Sequence, residues 1–77
     1  MTHSIVFGGS KGLGRVLARQ LVARGDTVSV ISRSEPPVAE RVEGAHYYCA
    51  DITDVAATQA ALDAAIKQNG ALNYLIF

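Results

Sequence analysis

Phe7-Gly8-Gly9-Ser10-Lys11-Gly12-Leu13-Gly14 is the stretch that decides how this chain folds. Three of its glycines take the spacing Gly8-x-x-x-Gly12-x-Gly14, between an apolar run and an amphipathic one. A first glycine there permits a sharp turn without strain at Cβ. A second lets the backbone approach a pyrophosphate, and a third lets the following helix pack close to a sheet. The start of that helix offers free N–H groups and the positive end of its dipole to phosphates. A bare glycine pattern is equally compatible with a flexible loop that binds nothing. The strand before it and the helix after it favour the dinucleotide reading. A Walker A loop needs Gly-Lys-Ser/Thr, which is not found here.

Working outward, Ser4-Ile5-Val6-Phe7 is a short β-branched and aromatic run, almost continuously apolar, as suits a central parallel strand covered on both faces. From Leu13 to Arg24 the spacing is helical. Leu13, Val16, Leu17 and Leu21 share one face, with Arg15, Arg19 and Arg24 elsewhere as its solvated side, and Gly25 follows as a natural end. Thr27 to Ser32 reads as a second strand. Arg33-Ser34-Glu35-Pro36-Pro37 then interrupts regular structure, because the two prolines remove donors and fix φ. Val38 to Val42 is read as one or two helical turns, and His46 to Ala50 as a third strand. The next helix begins at Asp51-Ile52-Thr53-Asp54, with Asp51 or Thr53 as its cap and Val55, Leu62 and Ile66 on one face, filled in by alanines. Asn69-Gly70 ends it, and Leu72 to Phe77 is a fourth strand. Strands alternating with helices imply parallel pairing through right-handed crossovers. The expected fold class is α/β, a Rossmann-type parallel sheet of about four strands in the order 3-2-1-4 with flanking helices, 1–77 forming the N-terminal part of a dinucleotide-binding domain.

Composition narrows the function. The chain has 77 residues, 49% hydrophobic and 18% charged, a globular balance. Seven basic residues match seven acidic ones. No general positive field argues for nucleic acid, and anion binding must come from placed groups. No apolar run reaches the ~20 residues that span a bilayer, and the first residues lack a signal-peptide pattern. Cys49 is the single cysteine, so an internal disulfide is excluded. It is expected to be an inert buried thiol, and a cytoplasmic location follows as the default. His3 and His46 stand alone, so a structural or surface role is expected and no metal site. Tyr47, Tyr48 and Tyr74 are expected to pack rather than to catalyse.

A dinucleotide fold selects its ligand near the end of the second strand, where an acidic residue takes the ribose 2′-OH of NAD and a cation accommodates the 2′-phosphate of NADP. Ser32-Arg33-Ser34 occupies that place, with no carboxylate before Glu35. A guanidinium binds a phosphate with charge-assisted, often bidentate, hydrogen bonds.

The glycine spacing resembles the short-chain dehydrogenases/reductases, whose classical branch carries Thr-Gly-x-x-x-Gly-x-Gly after its first strand. Gly8, Gly12 and Gly14 match, and Phe7 replaces the threonine. The resemblance implies that Lys11 joins Arg33 at the 2′-phosphate, with Ser10 and Ser34 as hydroxyl donors. It implies that Asp51 accepts from the adenine amino group and that Ile52 lines the adenine site. Capping the helix is the simpler alternative for Asp51. The expected cofactor-binding residues are therefore Gly8, Ser10, Lys11, Gly12, Leu13, Gly14, Arg33, Ser34, Asp51 and Ile52, and the expected cofactor is NADP(H).

The family's catalysis depends on Tyr-x-x-x-Lys, which these residues do not contain, so no catalytic residue is assigned. Leu75-Ile76-Phe77 reads as an interior strand with nothing after it to cover it. The expectation is the N-terminal part of a longer reductase that transfers hydride to or from a carbonyl or alcohol, with its small-molecule substrate bound only by the longer protein. The open edge also leaves pairing with another copy available. The rival readings are a non-catalytic NADP-binding sensor or regulatory module, and a structural α/β piece that assembles through its edge.

Overall fold

A computed structural model describes residues 2–8, 12–33 and 36–76, with Glu40 described for its backbone only. In chain order the elements are β1 (His3–Phe7), α1 (Gly12–Ala23), β2 (Thr27–Ser32), a 3-10 turn at Val38–Glu40, β3 (Ala45–Cys49), α2 (Val55–Asn69) and β4 (Tyr74–Ile76). The strands form one parallel sheet in the order β3-β2-β1-β4, the Rossmann-type arrangement the alternation predicts.

Strand alternation gives the sheet two apolar faces. Val6, Val28 and Val30 meet Ala18 and Leu21 of α1, with Val42 closing that side. Ile5, Ile31 and Ala50 meet Ala61 and Ala65 of α2. The inner face of α2 is thus alanine, where Val55, Leu62 and Ile66 were expected. Small side chains four residues apart let the helix lie close to the sheet. Val55 is left 79% exposed, Ile66 exposed, and Leu62 only partly packed. The apolar face of α1 is corrected in the same way. Leu21 is buried and Leu17 packs against the core, but Leu13 in the first turn is 84% exposed and Val16 is exposed as well.

Element ends differ by small amounts from the sequence expectation. β3 covers Ala45–Cys49 rather than 46–50, β4 (Tyr74–Ile76) begins at Tyr74 rather than Leu72, and the expected helix after the prolines is a single 3-10 turn. Asp54, not Asp51 or Thr53, caps α2, its side chain accepting from the Ala57 N–H at 3.1 Å. Asp51 is engaged one step earlier, accepting from Thr53. Cys49 is exposed rather than buried, because β3 is an outermost strand and Cys49 is its last residue. Tyr74 and Leu75 of β4, the opposite outermost strand, are likewise exposed.

At the N-terminal end of β1, where α2 finishes, a polar network ties the fold together, with Tyr48 reaching into it from near the C-terminal end of β3. The buried His3 imidazole lies between the Gly70 carbonyl, 3.0 Å from Nδ1, and the Ser29 hydroxyl, 2.7 Å from Nε2. Asn69 Nδ2 donates to Ser29 Oγ and to the Tyr48 hydroxyl, both at 2.9 Å. Tyr48 in turn donates to Gln68 Oε1 at 2.7 Å.

Candidate functional site

Strand register brings Phe7 level with Ile31, and Ser32 level with Cys49, so β1, β2 and β3 release the chain at one end of the sheet. The ladder continues one residue past each neighbouring strand, with the Gly8 N–H donating to the Ile31 carbonyl at 2.8 Å and the Ala50 N–H to the Ser32 carbonyl at 2.9 Å. Ligands of open α/β sheets bind in the crevice beyond these carboxyl ends.

Glycine is required at the turn by its backbone. Gly8 has φ +71° and Gly12 φ +56°, left-handed values that other residues adopt at a cost. A Cβ at either position would meet nothing within 4 Å among the described residues. None of the described residues crowds these glycines. Gly12 also begins α1, so the unpaired N–H groups of the first helical turn lie at the same end of the sheet.

A cleft of about 320 Å³ opens beside Gly8. Phe7, Ile31, Ala50 and Ile52 give it apolar walls, the buried Ser32 adds to its lining, and the exposed Arg33 and Asp51 give it a polar rim. A second hollow of about 200 Å³ shares Phe7 and Gly8 and is otherwise walled by Leu13, Gly14 and Leu17 of α1 with Val6 and Ile76. Another hollow, about 510 Å³ around Arg41, Glu43 and His46, is lined by none of the expected site residues.

Asp51 is held by several hydrogen bonds. Its Oδ1 accepts from the Thr53 N–H at 3.0 Å and from the Thr53 hydroxyl at 2.7 Å. Its carbonyl accepts from the Asp54 N–H at 2.8 Å and from the Thr58 hydroxyl at 3.1 Å. The Thr53 N–H, then the Thr53 hydroxyl, and then the positive charge of Arg33 hold the Asp51 carboxyl below the usual carboxylate range. The cleft thus combines an apolar slot, a fixed anionic acceptor and a cation. Such a site suits a flat base bearing an amino group, with an anion beside it.

Of the expected site residues, Gly8, Arg33, Asp51 and Ile52 line the first cleft. Leu13 and Gly14 line the second hollow with Gly8. Gly12 lies at the start of α1. Ser10, Lys11 and Ser34 lie outside the described residues. Sequence reasoning missed Phe7, Ala50 and Thr53. For Phe7 a signal was visible, since an aromatic stands where the matching pattern has threonine. Thr53 was read as a cap, and only the folded turn shows its hydroxyl on Asp51. Among the described residues no group of three His, Cys, Asp or Glu is placed to hold a metal ion, and no helix is long and apolar enough to cross a membrane.

Comparison with known proteins agrees with this geometry. A family model described as short chain dehydrogenase matches residues 2–77. A 3-ketoacyl-(acyl-carrier-protein) reductase from Brucella melitensis, solved in complex with NADH, superposes with a TM-score of 0.85 at 26% identity, over 96% of this chain and 32% of that one. Ligand-free aldohexose dehydrogenase from Thermoplasma acidophilum gives 0.83 at 28% identity, over 96% of this chain and 28% of that one. A PIGF/3-ketodihydrosphingosine reductase fusion protein of Schizosaccharomyces pombe is 42% identical over 40 residues, which are 52% of this chain and 8% of that protein. The chain spans roughly a third of the length of these solved structures.

Proposed function

The chain belongs to the short-chain dehydrogenase family, and from that premise we propose that its cleft binds the adenosine and pyrophosphate part of a dinucleotide, with preference for NADP(H). The carrying observation is the position of Arg33. It follows the last residue of β2 and lines the same cleft as Gly8, Asp51 and Ile52. A carboxylate at that place would repel a 2′-phosphate, whereas a guanidinium binds one. The left-handed Gly8 and Gly12, crowded by none of the described residues, fit a backbone that receives a pyrophosphate. Asp51, ionised and fixed by Thr53, accepts from the adenine amino group, and Ile52 covers the base. Lys11 adds a second cation for the 2′-phosphate, and Ser10 and Ser34 add hydroxyl donors.

In this reading the protein is an oxidoreductase acting on a carbonyl or alcohol, and the bound nicotinamide supplies or takes the hydride. The 77 residues contain no Tyr-x-x-x-Lys and serve binding, not proton transfer. Exchange of Arg33 for aspartate tests the preference. Arg33→Asp is expected to weaken NADPH binding roughly 10- to 100-fold, the scale of losing a charge-assisted phosphate contact, while NADH binding holds or improves. Titration of both nucleotides by calorimetry measures this, and an unchanged preference for NADPH in the variant overturns the assignment.

A further inference from the structure

We infer that Phe7 determines base specificity in this cleft, its aromatic ring forming the surface against which the base of a purine nucleotide rests. The inference depends on the dinucleotide reading above and adds a residue to it. Phe7 is the last residue of β1, and alternation along the strand puts its side chain on the α2 side of the sheet with Ile5. There it packs against the cluster containing Ile31 and Ala50. Ile31 and Ala50 are also walls of the cleft, together with Phe7 itself. The ring therefore belongs to the core and to the cleft at once, in agreement with its half-buried state.

Ile52, a large apolar side chain left 53% exposed, lines the same cleft. The exposed polar groups on the rim of the cleft are Arg33 and Asp51. A rim with one fixed carboxylate selects a donor on the edge of a ring. It does nothing to select a flat aromatic ring over a sugar or an aliphatic group. An aromatic wall supplies that selection, because stacking on a π-face favours a planar base. Phe7 also borders the second hollow, a position it shares with Gly8.

Leucine at position 7 keeps apolar volume in the core and removes the π-face, and tyrosine keeps the ring. The chain and its Phe7→Leu and Phe7→Tyr variants are titrated with adenosine 2′,5′-bisphosphate and, separately, with inorganic pyrophosphate. Upfield shifts of the adenine H2 and H8 resonances are followed by NMR in parallel. Phe7→Leu is expected to weaken the adenosine probe about tenfold, the usual scale of losing one base–aromatic contact, and to abolish the ring-current shift. Phe7→Tyr is expected to restore both, and pyrophosphate binding should be the same in all three proteins. Wild-type affinity and an unchanged adenine shift in Phe7→Leu overturn the role of Phe7 and leave the dinucleotide reading standing. Equal weakening of both probes also overturns it, since the residue then acts through the fold. Failure of the unaltered chain to bind either probe overturns both readings.

Discussion

The two ends of the sheet handle polar groups in opposite ways. At the N-terminal end, His3, Ser29, Asn69 and Tyr48 form a chain in which each member is bonded to the next. The Gly70 carbonyl can only accept, so His3 Nδ1 carries a hydrogen. Ser29 Oγ accepts from Asn69 and can donate to His3 Nε2. At the C-terminal end, the turn at Gly8 is left-handed and crowded by none of the described residues, and Arg33, Asp51 and Ile52 are exposed around a cleft. The members of that network satisfy one another, and the polar groups at the second end face outward with capacity to spare. Only the second arrangement offers a ligand anything, which is why binding in this topology belongs at the carboxyl ends of the strands.

The sharpest way to break the comparison is at Ser29. Its hydroxyl is the hub between His3 Nε2 at 2.7 Å and Asn69 Nδ2 at 2.9 Å, and the residue is fully buried. Ser29→Ala leaves a buried imidazole nitrogen without its partner and removes one bond from the Asn69 amide. A loss of about 1–3 kcal/mol is expected. That is large for a domain of this size, whose total stability is small. Urea unfolding measures it. The ratio of NADPH to NADH affinity should not move, because the network lies at the far end of the sheet. A variant that unfolds at the wild-type urea concentration would mean that this end is no better tied than the other.

The same contrast explains what could be read from the sequence. Strand order, both helices and the glycine turn follow from periodicity and from Gly8, Gly12 and Gly14, signals that are local to a few residues. Arg33 and Asp51 could be placed at one end of the sheet because Arg33 follows the last residue of β2 and Asp51 lies two residues past β3, and a strand end has a fixed place in this topology. The inner face of α2 was not legible. Apolar spacing favours the larger Val55 and Ile66, but the distance at which a helix settles on a sheet is decided by packing, and there alanine prevails. The His3 network could not be read either, since Ser29 and Asn69 are 40 residues apart. Cys49 shows the reverse error. Its neighbours look like a buried strand, but its exposure depends on which strand is outermost at that point of the sheet.

A smaller effect is expected at the open end, from Thr53→Val. Asp51 titrates below its ordinary range in the folded chain, chiefly through the Thr53 N–H and then the Thr53 hydroxyl. A carboxyl with a lowered folded value stabilises the fold at pH values above its unfolded value, about 3.9, and that contribution fades as the pH falls through the lower folded value. Valine removes the hydroxyl and keeps the N–H. The Asp51 carboxyl should therefore titrate higher in the variant, moving part of the way back. The variant should also be slightly less stable than wild type at neutral pH, with the difference shrinking on acidification below pH ~4. Carbon-13 NMR of the carboxyl and urea unfolding at the two pH values check these outcomes. An unmoved titration would show that the backbone N–H and Arg33 hold Asp51 without the hydroxyl.

The smallest effect is expected at Ser4, which tests whether the closed end is as fully satisfied as Ser29 suggests. Ser4 and Ser29 are both fully buried, and they lie on opposite faces of neighbouring strands. Ser29 Oγ has two partners, whereas Ser4 Oγ has none among the described residues. A buried hydroxyl without a partner has given up its hydrogen bonds to water and gained nothing in exchange. The substitution that is costly at Ser29 should thus be harmless at Ser4. Ser4→Ala is expected to leave stability unchanged or to raise it by up to about 1 kcal/mol, read as an equal or higher urea midpoint. The two serines differ little in burial, so the sign of the difference between their alanine variants isolates the hydrogen bonds. Equal losses at both positions would mean that Ser4 has a partner of its own and that burial, not bonding, governs this end of the sheet.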